Sequence, residues 1–129
     1  VVQVSLAFTG YAAVWDRRDR AGDVFRRGAF GGARLVPLLW QHRGAAVGEA
    51  VAREDERGLR VEGRVHDARA AALVRAGAVA GLSVGFRTLE SRQAASRLIA
   101  RAVLAEVSLV AVPMQPLARI DEFHEGGKA

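Results

Sequence analysis

Three side chains in this sequence could do chemistry at places where their neighbours call only for packing. They are Ser83 in GLSVGF, His42 in LLWQHRG and Glu106 in AVLAEVSLVAV. In GLSVGF, a period of two puts Leu82, Val84 and Phe86 on one face and Gly81, Ser83 and Gly85 on the other. Glycine weakens a strand, so a pair flanking a serine needs a reason. One reason is clearance for a substrate backbone over a nucleophilic Ser83. A tight barrel corner with a locally bonded hydroxyl is the plainer one. His42 ends an apolar stretch on the face of Val36, Leu38 and Trp40, just before a glycine-containing turn. An imidazole there can take and return a proton near neutral pH, or it can be a half-buried histidine with an ordinary partner. Glu106 interrupts an apolar strand on a face shared with Leu104, Ser108 and Val110. A buried, unpaired carboxylate is costly or is forced to protonate, so Glu106 needs a partner. Arginine is the plain choice. Histidine is the functional one, because a carboxylate on one imidazole nitrogen fixes the tautomer and stabilises the imidazolium. Jointly the three supply a nucleophile, a base and an orienting acid, the logic of a serine hydrolase. Metal chemistry has no such support: His42, His66 and His124 lack zinc-site spacing and no HExxH occurs. Neither a metal nor a cofactor is expected.

The elements that must hold these residues follow from local patterns. Val2, Val4, Leu6 and Phe8 alternate with polar residues and predict a half-buried strand continuing to Trp15, with an irregularity at Gly10. Asp16–Asp23 reads as a charged loop, and FRRGAF (Phe25–Phe30) as a short helical turn ended by glycine. A second strand is expected over Leu35–His42. Val47–Arg53 and Leu59–His66 form an antiparallel pair around the polar loop EDERG. Asp67 caps a short helix whose apolar stripe is Ala70, Leu73, Val74 and Gly77. Gly81–Ser91 and Ser96–Val112 are the last long strands, joined by RQAAS, with Pro113 and Pro116 ending the pairing. The expected architecture is mainly β with a few helices: a closed, mostly antiparallel barrel, since closure removes exposed edges. Residues 1–120 form the barrel domain and 121–129 a mobile tail.

Composition narrows the function classes. The chain has 129 residues, half of them hydrophobic, which suits one domain with one core. No apolar run approaches the roughly 20 residues a membrane helix needs. The opening VVQVSLAFTG lacks the basic leader and long apolar segment of a signal peptide. There is no cysteine, so disulfides are excluded, and a cytoplasmic setting fits. The net charge of +5 allows a nucleic-acid partner. The arginines, however, are scattered among acids, as in DRRDRAGD and AREDERG, and Lys128 is the only lysine. With no basic stripe and no aromatic stacking set, nucleic acid is not expected as the main partner.

The candidate residues also lie in a series of blocks: GYAAVWD, GDVFRRGAF, LLWQHRGAAVGEA, GLRVEGRVH, AGAVAGLSVGF and LAEVSLVAVPMQPLARI. In this order and spacing, over roughly residues 4–120, the chain resembles the prohead maturation proteases of tailed phages. The resemblance implies a fold similar to the herpesvirus assembly protease, a closed barrel surrounded by helices. It implies serine endopeptidase activity with His42, Ser83 and Glu106 as the catalytic set. In the herpesvirus enzymes a second histidine holds the third place; His66 precedes Ser83 and ends a different strand, which leaves Glu106. The loop VPMQP after the Glu106 strand matches the oxyanion loop, where the backbone N–H groups of Met114 and Gln115 are available as donors. The implied substrates are the major capsid protein precursor, scaffold and the protease itself, cleaved inside the assembling prohead in the host cytoplasm. A homodimer is one assembly consistent with this, and no membrane is involved. Two rivals remain at this stage, a non-catalytic assembly module on the same barrel and a basic nucleic-acid-binding barrel.

Overall fold

Alternating apolar and polar residues build eight strands and one helix over residues 5–125, the part of the chain that the computed structural model describes. In chain order they are β1 (Leu6–Val14), β2 (Asp23–Phe25), β3 (Arg34–Trp40), β4 (Arg43–Glu54), β5 (Gly58–Val65), α1 (Ala68–Arg75), β6 (Gly81–Gln93), β7 (Arg97–Val110) and β8 (Ile120–Glu125). They form one curled sheet in the order β2-β7-β3-β4-β5-β1-β8, with β6 on the other edge of β7. The concave side holds a single core that includes Leu6, Phe8, Leu38, Val61, Leu82 and Val107. Each such side chain contributes about 1.5–3 kcal/mol by leaving water.

Local sequence signals account for much of this. Register pairs β4 with β5 antiparallel, as the alternation requires. The EDERG loop is held by Asp55, whose carboxylate accepts the Arg57 and Gly58 N–H groups at 2.8 and 3.0 Å. Asp67 caps α1 by accepting the Ala70 N–H at 2.9 Å, and Ala70, Ala71 and Val74 are the buried face of the helix. Among the described residues no helix is long and apolar enough to cross a membrane.

Four expectations are corrected. The barrel is not closed: its two ends meet through one isolated bridge, Gly81 with Arg119, flanked by the Leu82 N–H to Ala118 O and Ile120 N–H to Ala80 O bonds. Charge manages the open edges instead, with Arg87, Glu90 and Arg92 along β6 and Asp121, Glu122 and Glu125 on β8. Helices do not surround the sheet, since α1 is the one helix among the described residues. The sheet is mostly antiparallel, as expected, with β2 and β3 running parallel to β7. Residues 26–30 make a turn rather than a helix, because Glu54 reaches across to accept the Gly28, Phe30 and Gly31 N–H groups at 2.7–3.2 Å. Finally, residues 121–125 belong to β8, paired antiparallel with β1, rather than to a tail. The alternation at Val2 and Val4, and residues 126–129, lie outside the described residues.

The Tyr11 hydroxyl ties β1 to the β4–β5 turn by donating to Asp55 Oδ2 at 2.5 Å. Burial by itself would raise the Asp55 carboxyl, but the bonds from Tyr11, Gly58 and Arg57 outweigh it and hold Asp55 below its ordinary value. A carboxyl depressed in the folded state adds stability above its unfolded value, and that stability is lost as pH falls through the folded value. Tyr11→Phe should therefore lower stability at pH 7 by about 1–3 kcal/mol. The gap from wild type in urea midpoints should shrink steadily below about pH 4.

Candidate active site

His42 reaches its place through strand pairing that leaves no local trace. β3 runs parallel to β7 with Leu38, Leu39 and Trp40 opposite Val107, Ser108 and Leu109. Trp40 then pairs with Arg43, so Gln41 and His42 are the two central residues of a tight hairpin. Both have positive φ, 52° and 62°, the pattern of hairpin turns that match strand twist. The conformation costs a non-glycine residue roughly 1–2 kcal/mol. It is held by Gln41 N–H to Leu109 O and His42 N–H to Ser108 Oγ, each 3.0 Å. Sequence parity puts His42 at the end of a strand on the Trp40 face. The structure puts it in the turn, which redirects it toward β7.

Glu106 is brought to the same side by an irregularity. Gly85 pairs with Glu106, yet Phe86 pairs with Leu104, so Ala105 is an extra residue in β7. This β-bulge separates two residues that simple alternation places together. Leu104 turns into the core with Phe86, while Glu106 shares the outer face with Ser108, Ser83 and Gly85. Glu106 meets His42 there, its carboxylate bonded to His42 Nδ1. A carboxylate only accepts, so Nδ1 carries the proton, and in the neutral ring Nε2 is left with the lone pair. The Glu106 side chain is 11% exposed and that of His42 42%, so the acid is enclosed while the imidazole stays reachable. Ser108 Oγ also donates to Glu106, 3.1 Å from each oxygen.

Gly81 and Gly85 do provide clearance, but the protein itself fills it. A Cβ on Gly85 would lie 2.7 Å from Glu106 Cδ and Oε1, and one on Gly81 would lie 2.8 Å from Pro113 Cδ and Val110 O. The glycines flanking Ser83 therefore admit the acid and the VPMQP loop rather than leaving an open path for a substrate backbone.

Ser83, His42, Met114 and Gln115 all line one cavity of about 120 Å³. Leu82, Ser83, Val84 and Phe86 of β6 all reach it. The Ser83 hydroxyl has no hydrogen-bond partner among the described residues. Leu82, at 0% exposure, together with Val84 and Phe86, anchors the strand beneath it. The Gln115 side chain turns inward and clamps the loop, accepting the Val14 N–H at 2.7 Å and donating to the Val14 and Arg17 carbonyls at 3.2 Å. The backbone N–H groups of Met114 and Gln115 have no acceptor among the described residues. His66 lies elsewhere, its Nε2 bonded to Glu49 at 2.7 Å.

Two features escaped the sequence reading. Ser108 had a faint signal, a hydroxyl two residues beyond an acid in an apolar strand. Asp19 and Asp23 line the cavity from the loop and β2, and nothing in the charged run DRRDRAGD separates them from surface acids. Asp23 is paired with Arg97 through two bonds of 2.8 and 3.0 Å. Burial pushes the Asp19 carboxyl up, against backbone N–H groups that pull it down.

Gly85→Ala tests the packing of the site. The added methyl forces the Glu106 carboxylate aside, with a stability loss of about 1–3 kcal/mol. The downfield proton resonance of His42 Nδ1 should disappear. Gly32→Ala, where a Cβ meets nothing within 4 Å, should leave that resonance unchanged.

By fold, the chain is similar to the KSHV protease, solved in complex with a hexapeptide phosphonate inhibitor, at a TM-score of 0.62 and 12% identity. The likeness covers 96% of this chain and 66% of that one, so this chain spans slightly under two thirds of its neighbour's length. It bears out a mainly β, herpesvirus-protease-like architecture. A search of curated protein sequences gave no match. A family model described as the caudovirus prohead serine protease matches residues 2–128, and on that match the chain belongs to the caudovirus prohead serine protease family.

Proposed function

We propose that this chain is a serine endopeptidase using Ser83 as nucleophile, His42 as general base and acid, and Glu106 as the residue that orients His42. The observation that carries the reading is the bond between His42 Nδ1 and Glu106 at the rim of the cavity that Ser83 also lines. With its proton held on Nδ1, the imidazole presents Nε2 as a base. Ser83 Oγ attacks the scissile carbonyl carbon and its proton passes to His42 Nε2. The imidazolium formed is stabilised by Glu106. Collapse of the tetrahedral intermediate breaks the C–N bond, and His42 gives the proton to the leaving amine. Water then attacks the acyl-enzyme by the same route and restores Ser83.

The oxyanion formed in each half-reaction needs donors aimed at it. In this reading the Met114 and Gln115 N–H groups supply them, each worth about 3 kcal/mol in the transition state. The Gln115 side-chain clamp on β1 holds these donors still before substrate arrives. In this reading the substrates are capsid and scaffold precursors and the protease itself, cleaved inside the assembling prohead in the host cytoplasm; membership of a prohead protease family supports a capsid-precursor substrate.

Ser83→Ala should keep the wild-type melting temperature and lose labelling by a fluorophosphonate probe. Cleavage of a co-expressed capsid precursor should fall by at least about 10,000-fold. If wild-type protein neither reacts with the probe nor cuts the precursor, and capsids still assemble with it, the chain is a non-catalytic assembly module instead.

A further inference from the structure

Ser108 is fully buried at 0% exposure, in a strand otherwise packed with valine and leucine, and the reaction scheme above gives it no step. Its hydroxyl has one proton and two lone pairs. The His42 backbone N–H donates to Oγ at 3.0 Å and cannot be an acceptor. The hydroxyl proton is therefore free to point at Glu106, whose two oxygens lie 3.1 Å away. Glu106 in turn accepts from His42 Nδ1. The bonds run from the His42 main chain through Ser108 to Glu106 and back to the His42 side chain, a closed ring that includes His42 twice.

We infer that Ser108 is a positioning residue that couples the strained His42 turn to the Glu106 carboxylate, so that the backbone and imidazole of His42 are fixed together. Its place in the sheet suits this role. By register Ser108 lies opposite Ser83 on β6 and opposite Leu39 on β3, between the strand of the nucleophile and the strand that enters the turn. A residue here with no hydroxyl leaves the His42 N–H unpaired in a left-handed conformation, which removes one of the bonds holding the turn. It also leaves the carboxylate free to rotate about its remaining bond to the imidazole. Alanine at 108 would fill the strand and preserve the core, so the loss falls on orientation rather than on folding.

The inference rests on the proposed serine protease mechanism, and the test separates the two. Ser108→Ala and Ser108→Thr are compared with wild type by thermal melting, by kcat and KM on a peptide substrate, and by the His42 Nδ1 proton resonance. For Ser108→Ala the expected result is a folded protein with kcat lowered 10- to 100-fold and KM within twofold. Its Nδ1 resonance should be shifted or broadened. Ser108→Thr, which keeps the hydroxyl, should recover most of both. If alanine prevents folding, Ser108→Cys carries the same readouts with similar volume and a weak hydrogen bonder. A folded Ser108→Ala or Ser108→Cys variant with the wild-type resonance and kcat within twofold overturns the inference while leaving the protease reading intact. If wild type shows no turnover but the resonance still depends on the hydroxyl, the positioning role stands and the protease reading fails.

Discussion

Strand β7 is the constraint on which the site depends. It pairs with β6 along one edge and with β3 on the other, and it carries Glu106 and Ser108 itself. Glu106 is therefore on β7, Ser83 is on the strand beside it, and His42 is in the turn that leaves the other neighbour, β3. The consequence is rigidity where chemistry needs it, since a strand bonded on both edges has little freedom to shift relative to its neighbours. The loop with Met114 and Gln115 leaves the same strand and is pinned to β1 by the Gln115 side chain. If the Met114 and Gln115 N–H groups act as the proposed donors, that clamp orients them before any ligand binds, the condition under which electrostatic stabilisation is effective.

The site departs from regular structure in three places, and each departure moves one group. The bulge at Ala105 separates Glu106 from Leu104, so a carboxylate and a core leucine can sit two residues apart without sharing an environment. Gly85 gives up a side chain so that the carboxylate has room. The left-handed turn at Gln41 and His42 gives up backbone stability so that an imidazole projects over β7. None of these improves the fold. Strain and irregularity concentrated at one spot are the usual mark of a region shaped by activity rather than by packing.

Openness of the sheet is a second consequence of the same topology. With β6 committed to β7, its other edge meets the rest of the described sheet only around Gly81 and Leu82, and the cavity is lined by the residues that follow on β6. The expectation of closure came from the general liability of unpaired strands. The charged residues along β6 and β8 answer that liability without closure.

What neighbouring residues control was legible before any coordinates. Period-two alternation gave the β4–β5 pair and the core face of β6; Asp67 gave the helix start; and the three misplaced polar residues gave the candidate chemistry. Their order and spacing within the blocks were enough to suggest the family. Their arrangement in space was not legible there. His42 and Glu106 are 64 positions apart and meet through a parallel pairing of β3 with β7 that no hairpin signal announces. Ser108 looked like an incidental strand serine, and the glycines beside Ser83 looked like room for a substrate until Glu106 and Pro113 were seen to fill it. One cause underlies each case. Alternation and turn chemistry are written in neighbouring residues, whereas register, bulges and long-range pairing are set by which distant strands can bury their apolar faces together.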